Sequence, residues 1–392
     1  MISRIRLNIT PKFWIMLCLI QIISFCPSLA KSPTANFLPY PNMFYPIRVG
    51  LMCKTNRAFI AVWSPGYVFV NNVPVFELKP GKPYQLSMSK ITDLSSGQSF
   101  ILPSTARTQI AASDYRVWAN NKWWRGSLEI INFGSKFTVI NLLDLEDYLR
   151  GVVPSEMPYS WNIEALKAQA VAARSYAIAH SGKGSKWKSE GFDIVPDVRD
   201  QAYKGLGNEH DSSSRAVMET NGVILKNAGK VKPGFYRAWV GNSNENLNIR
   251  QICVNCQKLE SLTGVAKIVG VTPKQWDANG NVNDIQIMGT KKSRDVYGLA
   301  LAKILNLPSA GILDVKQSGN NWLFTCRGPG NGALGLSQHG ANMLANNGWK
   351  YEQILQHYYQ DNDGQLRLGN INNNFNLTSN FPQSYSYSSI TK

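Results

Sequence analysis

The chain has 392 residues, 44% of them hydrophobic, and a formal net charge of +16 at neutral pH. That length and apolar content support a substantial core in at most two or three domains, and six cysteines are too few for a disulfide-held scaffold. The basic residues are scattered rather than gathered in a block with interleaved aromatics, so the charge suits an anionic wall polymer or a membrane surface and not nucleic acid.

Arg4, Arg6 and Lys12 flank or precede an apolar run from Phe13 to Phe25, and Ser28-Leu29-Ala30 offers small residues at the positions a signal peptidase reads. The run is shorter than the roughly 18–20 residues of a membrane span. Residues 1–30 therefore read as a signal peptide, the protein as exported to the periplasm or cell wall, and membrane attachment as possible only through an uncleaved signal. Residues 31–46 (KSPTANFLPYPNMFYP) are proline-rich and read as an extended linker.

From Ile47 short apolar or alternating runs such as IRVGLM, AFIAVW and YVFVNN are separated by Gly, Pro and Asn, which predicts antiparallel strands over 47–147. Asn120-Asn121 marks a hairpin turn. A helix follows Asn162, its cap, with Ile163, Leu166, Ala170, Ala173 and Ala177 forming a stripe of mostly small residues that allows close packing. It ends near His180-Ser181-Gly182. A short helix capped by Asp211 or a nearby serine, a strand, an irregular segment over 233–256, an apolar helix (VYGLALAKILNL), a glycine-dense loop and two final helices complete a part running over 148–365. Residues 366–392 are a polar tail expected to be disordered. The fold class is α/β in the mixed α+β sense, β-rich first, then helices and strands that form a substrate groove.

Glu156 stands among Val152, Val153, Pro154, Met157 and Pro158. Apolar surroundings raise a carboxyl pKa, and a carboxyl still protonated near pH 7 can protonate a glycosidic leaving group. The alternative is a structural glutamate paired with a cation. Arg174, eighteen residues on within an apolar helix, is that cation or else binds an anionic substrate group. Gln201, Tyr203 and Lys204 bring an amide, a phenol and an ammonium to one turn, which suits a sugar or an ordinary surface turn. Gly328 to Gly340 lacks the Gly-Lys-Ser/Thr ending of a phosphate loop; its glycines permit close backbone approach, and Ser337, Gln338 and His339 open a helix where they could face a ligand. Cys253 and Cys256 are a local disulfide, free thiols, a redox pair or half of a zinc site needing distant ligands.

The stretches DLEDYLRGVVPSEMPYSWNIEALKAQAVAARSYAIAH, DVRDQAYKGL with AVMETNGVIL, and GPGNGALGLSQHGANMLANNGWKYEQILQHYY resemble the sporulation stage II protein D (SpoIID)/LytB family across most of residues 47–360. The resemblance implies a lytic transglycosylase acting on peptidoglycan glycan strands without a cofactor, or a non-catalytic wall-binding protein that stimulates a cell-wall amidase. It places Glu156 at the catalytic glutamate and Arg174, Gln201, Tyr203, Ser337 and Gln338 near the groove. Two stretches depart from the family pattern: FYRAWVGNSNENLNIR replaces a Ser/Gly-rich motif, and Gly328-Pro329-Gly330-Asn331-Gly332 replaces Gly-Trp-Gly-His-Gly.

Overall fold

A computed structural model describes residues 34–88, 90–103, 107–238, 249–276, 281–327, 335–359 and 366–371. The expected signal peptide, the Gly328–Gly332 loop, residues 239–248 of the irregular segment and tail residues 372–392 lie outside the described residues. The mixed α/β class holds, with the β-rich part first.

Two six-stranded antiparallel sheets form the opening part. In one, strands run in the order Pro46–Thr55, Lys136–Asp144, Ser127–Phe133, Thr108–Ala112, Gly66–Val70 and Val73–Leu78; in the other, Lys122–Arg125, Arg116–Ala119, Arg57–Val62, Tyr84–Ser87, Lys90–Asp93 and Ser99–Ile101. Their inward residues, among them Ile47, Val68, Ile60, Leu86 and Val117, belong to one buried core. The Asn120-Asn121 hairpin is present, both residues at positive φ (48° and 61°) as a two-residue turn matching the strand twist requires. The linker has no regular structure over 34–45 but is fastened: Phe37 packs on Tyr67 and Phe69, and the Phe44 and Tyr45 amides donate to Asp144 Oδ2 at 2.7 and 3.0 Å.

The same core continues into the helices. Helix α1 (Leu145–Glu156) follows the last strand directly, with Asp144 accepting from the Glu146 amide as its cap. Helix α2 (Ile163–Ala179) is capped by Asn162, whose side chain accepts from the Glu164 amide, and buries twelve of its seventeen residues. Close approach occurs at Ala172, outside the expected stripe: a Cβ at Gly234 would run into its backbone. Helix α3 (Asp211–Glu219) begins after His210, so the cap is not Asp211; that carboxylate sits instead in the first turn, where it complements the helix dipole. Strand Val223–Asn227 pairs with Arg367–Asn370, so the expected disordered tail begins later than residue 366: four of its residues complete a sheet.

Residues 249–327 carry a second hydrophobic core. Helices α4 (Cys256–Thr263) and α5 (Gly298–Leu305) and two three-stranded antiparallel sheets enclose Leu259, Ile285, Ile287, Leu301, Ile312 and Phe324. The part expected to run unbroken over 148–365 is therefore interrupted. The chain leaves the first core at strand Tyr236–Arg237 and returns at Leu336–Ser337, and these two short strands pair in parallel. Gly335 makes the return possible, at φ +90° with a Cβ position that would overlap the Phe235 carbonyl. Helices α6 (Gln338–Asn346) and α7 (Tyr351–Tyr359) then pack back on α2. No helix among the described residues is long and apolar enough to cross a membrane.

Candidate active site

Glu156 is the last residue of α1, not a turn residue. Pro154 lies inside the helix, where its missing N–H takes the helical donor from the Arg150 carbonyl, and Ser155 Oγ donates to the Gly151 carbonyl at 2.6 Å. A helix C-terminus carries the negative end of the peptide dipole, which disfavours a carboxylate there. Burial adds to this and raises the Glu156 pKa above the ordinary carboxylate range, opposed by the Ala202 amide, the Tyr236 hydroxyl and, through space, Lys204. The Ala202 N–H donates to Glu156 Oε1 at 2.5 Å.

A layer of buried polar groups stands behind this carboxyl. Gln201 Nε2 donates to Tyr236 Oη at 3.0 Å and to the Ala173 carbonyl at 3.2 Å, while its Oε1 accepts from Tyr148 Oη at 3.2 Å. Gln338 Nε2 donates to the Glu156 backbone carbonyl at 3.1 Å and to Gln169 Oε1 at 3.3 Å. The phenols of Tyr148 and Tyr236 are held well above their usual pKa, chiefly by burial. They therefore stay neutral, and Tyr236 remains a hydrogen-bond donor to Glu156. The paired strands at 236–237 and 336–337 thus deliver Tyr236 from one side and Gln338 from the other.

The other residues singled out in the sequence divide. Gln201 is fully buried and orients Tyr236 rather than facing a ligand. Lys204 is exposed and near enough to Glu156 to be felt electrostatically. His339 is half-buried, its ring edge-on to Trp161 at 4.7 Å, with its imidazole pKa lowered by burial. Three expectations are corrected. Arg174 is fully buried and grips Glu146, not Glu156, through two bonds of 2.6 and 2.7 Å, with further bonds to the Val223 and Val217 carbonyls. Glu146 opens α1 and Glu156 ends it; ten residues at 1.5 Å rise separate them by about 15 Å, too far for one guanidinium to serve both. Tyr203 is buried against Trp124 and Tyr148 and donates to Asn141 Oδ1 at 3.1 Å, so it holds the sheet to α1. Ser337 is fully buried as the α6 cap, accepting from the Gly340 amide at 3.2 Å.

Sequence reasoning missed Tyr236, Gln169 and Tyr148. Gln169, a long amide amid alanines, carried a signal, since a buried polar group needs a partner. Cys53, Cys253, Cys256 and Cys326 are all free thiols, which leaves Cys253 and Cys256 without the disulfide considered for them. The described residues contain no cluster of three or more His, Cys, Asp or Glu able to hold a metal ion.

The second carboxylate near these tyrosines, Asp200, is already engaged. It accepts from Trp187 Nε1 (2.7 Å), the Val195 amide (2.9 Å) and Tyr176 Oη (3.2 Å), and pairs with Lys186 at 2.9 Å. The arrangement therefore offers a carboxyl of raised pKa at the end of a helix, a neutral phenol and a backbone amide as its partners, and the exposed Lys204 beside it.

The family model for SpoIID, described as Stage II sporulation protein, matches residues 134–226, which run from the last strand of the first sheet through α1, α2 and α3 to strand 223–227. An uncharacterized protein of Brachyspira hyodysenteriae is 29% identical over 270 residues, covering 61% of this chain and 71% of that protein. Stage II sporulation protein D of Bacillus subtilis is 29% identical over 262 residues, covering 56% and 73%. The Amidase enhancer of Bacillus subtilis is 25% identical over 289 residues, covering 54% of this chain but 39% of that longer protein. These likenesses show SpoIID-like sequence over residues 134–226, the stretch that supplies Glu156 and Ala202 to the site, and support the resemblance to the SpoIID/LytB family.

Proposed function

We propose that this protein cleaves peptidoglycan glycan strands as a lytic transglycosylase, with Glu156 as both acid and base. The observation that carries the reading is the raised Glu156 carboxyl at the end of α1, hydrogen-bonded by Ala202 and Tyr236. In the protonated form it donates to the bridging oxygen as the bond from the anomeric carbon of N-acetylmuramic acid breaks. The resulting carboxylate then takes the proton of that sugar's 6-hydroxyl, whose oxygen closes on the anomeric carbon. One C–O bond breaks, one forms, no water is consumed, and a 1,6-anhydro end results. Tyr236, Ala202 and exposed Lys204 stabilise the carboxylate between the two proton transfers. Hydrolysis instead calls for water and usually a second carboxylate to activate it, and Asp200 is committed to four partners.

A second reading, a wall-binding protein that stimulates an amidase, is supported by the likeness to a relative named Amidase enhancer. The two separate in one assay: purified glycan strands and intact sacculi are incubated with the protein, a cell-wall amidase, or both. The lytic reading predicts anhydro-muramic ends from the protein alone. Stem-peptide release by the amidase that rises with the protein, without anhydro ends, selects the second.

A further inference from the structure

The outward face of the second sheet is unusual for an antiparallel sheet, whose solvent side is ordinarily polar. Strand Arg57–Val62 turns Ala58, Ile60 and Val62 into the core and Arg57, Phe59 and Ala61 outward, and Trp63 follows in the same alternation. Ala61 lies opposite Trp118, and Trp118 opposite Trp123. Trp63 and Trp123 meet edge to face at 5.0 Å, and the Arg116 guanidinium covers Trp63 at 4.5 Å. Trp63 is 49% and Phe59 41% exposed, and neither these rings nor those of Trp118 and Trp123 belong to a buried core cluster. Ala61 leaves a shallow trough between large rings, and three neighbouring strands make the face about 10 Å wide.

We propose that this face is a binding platform for a glycan strand of N-acetylated amino sugars carrying scattered carboxylates. It rests on the substrate class of the proposed function and extends it to a surface beyond the Glu156 site. The weakly polar faces of sugar rings stack on indole and phenyl rings, and the flanking guanidiniums meet hydroxyls, amides and occasional carboxylates. A phosphate-rich polymer fits less well because its affinity comes from many free cations, whereas two of the three arginines here are already paired, Arg116 with Asp114 at 2.6 Å and Arg125 with Glu209 at 2.7 Å, which leaves Arg57 to meet an occasional carboxylate. The platform also adjoins the site. Glu209, which holds Arg125, and Gly205, which sits against the Trp123 carbonyl, belong to the segment that supplies the Ala202 amide to Glu156.

The test is co-sedimentation with insoluble peptidoglycan, using full-length protein carrying Glu156→Gln so that strands are bound but not cut. Phe59→Ala and Trp63→Ala remove exposed rings and leave the buried face intact; circular dichroism confirms folding. Val73→Ala, an exposed apolar change on the other sheet, is the control. Each ring variant is expected to bind at least about tenfold more weakly, the control as wild type. Raising NaCl from about 50 to about 500 mM is expected to weaken binding by less than about tenfold. Ring variants that sediment like wild type overturn the proposal. So does a loss of about a thousandfold with salt, or displacement by single-stranded DNA, since either marks a polyanion site. Ring-dependent binding by a wild-type protein that makes no anhydro ends would remove the lytic reading and leave the platform standing. Cleavage of strands alongside unimpaired binding by the ring variants would do the reverse.

Discussion

Replacing Arg174 with alanine removes a guanidinium with no exposed surface and takes a donor from three acceptors: the Glu146 carboxylate, the Val223 carbonyl and the Val217 carbonyl, the last of which still accepts from Thr220 Oγ1 at 3.3 Å. Glu146 keeps only a long contact from the Gly222 amide at 3.4 Å. Removing one partner of a buried ion pair costs about 3–5 kcal/mol, because the remaining charge is left uncompensated. The alanine also leaves a void between α2, α3 and strand 223–227. Arg174→Lys keeps the charge but loses the planar fork that meets both carboxylate oxygens, so less than half of the loss should be recovered. Urea unfolding followed by circular dichroism measures each variant, together with Glu146→Ala and the double variant. The double should cost less than the sum of the singles by more than about 1.5 kcal/mol, the mark of direct coupling. An Arg174→Ala protein within about 0.5 kcal/mol of wild type that nonetheless fails to cleave glycan would refute this reasoning and return Arg174 to the substrate.

Raising the Glu156 pKa on folding means the folded state holds its proton to higher pH than the unfolded chain, so stability falls as pH rises from the ordinary carboxylate value near 4.3 toward the raised one. Unfolding curves should therefore show Glu156→Gln gaining on wild type as pH rises above about 4.3, and a constant difference would contradict burial as the cause. Tyr236→Phe removes a donor to the Glu156 carboxylate, which should move the alkaline limb of the cleavage profile to higher pH and cost about 0.5–1.5 kcal/mol of stability; an unmoved limb would detach Tyr236 from the site. Gly335→Ala meets both positive φ and the Phe235 carbonyl, so it should destabilise by more than about 1 kcal/mol and slow cleavage by shifting Tyr236 and Gln338; unchanged kinetics would separate the paired strands from the site.

Local rules made much of the fold legible. The period-two runs from Ile47, the Asn120-Asn121 turn and the Asn162 cap all depend on residues close in sequence, and all formed as expected. What stayed hidden depends on partners distant in the chain. Arg174 pointed toward Glu156 because the two share a motif, while its partner Glu146 lies one helix length away on α1. Tyr203 and Ser337 look like ligand groups in a linear reading, and only the packing shows each serving a hydrogen bond of the framework. The core within 249–327 escaped notice because its strands alternate like those before them, and no composition change marks where the chain leaves Tyr236 and returns at Leu336. The run RVWANNKWWR at 116–125 interleaves tryptophans with basic residues in the sequence, but only the sheet joins Trp118 and Trp123 to Phe59 and Trp63.

The central claim is that one carboxyl, Glu156, performs both proton transfers. Mass spectrometry of glycan strands, intact and stripped of peptides, after incubation with purified wild type and with Glu156→Gln tests it directly. The account predicts 1,6-anhydro-muramic ends from wild type alone. Equal product from Glu156→Gln, or reducing ends that carry oxygen from labelled water, would contradict it.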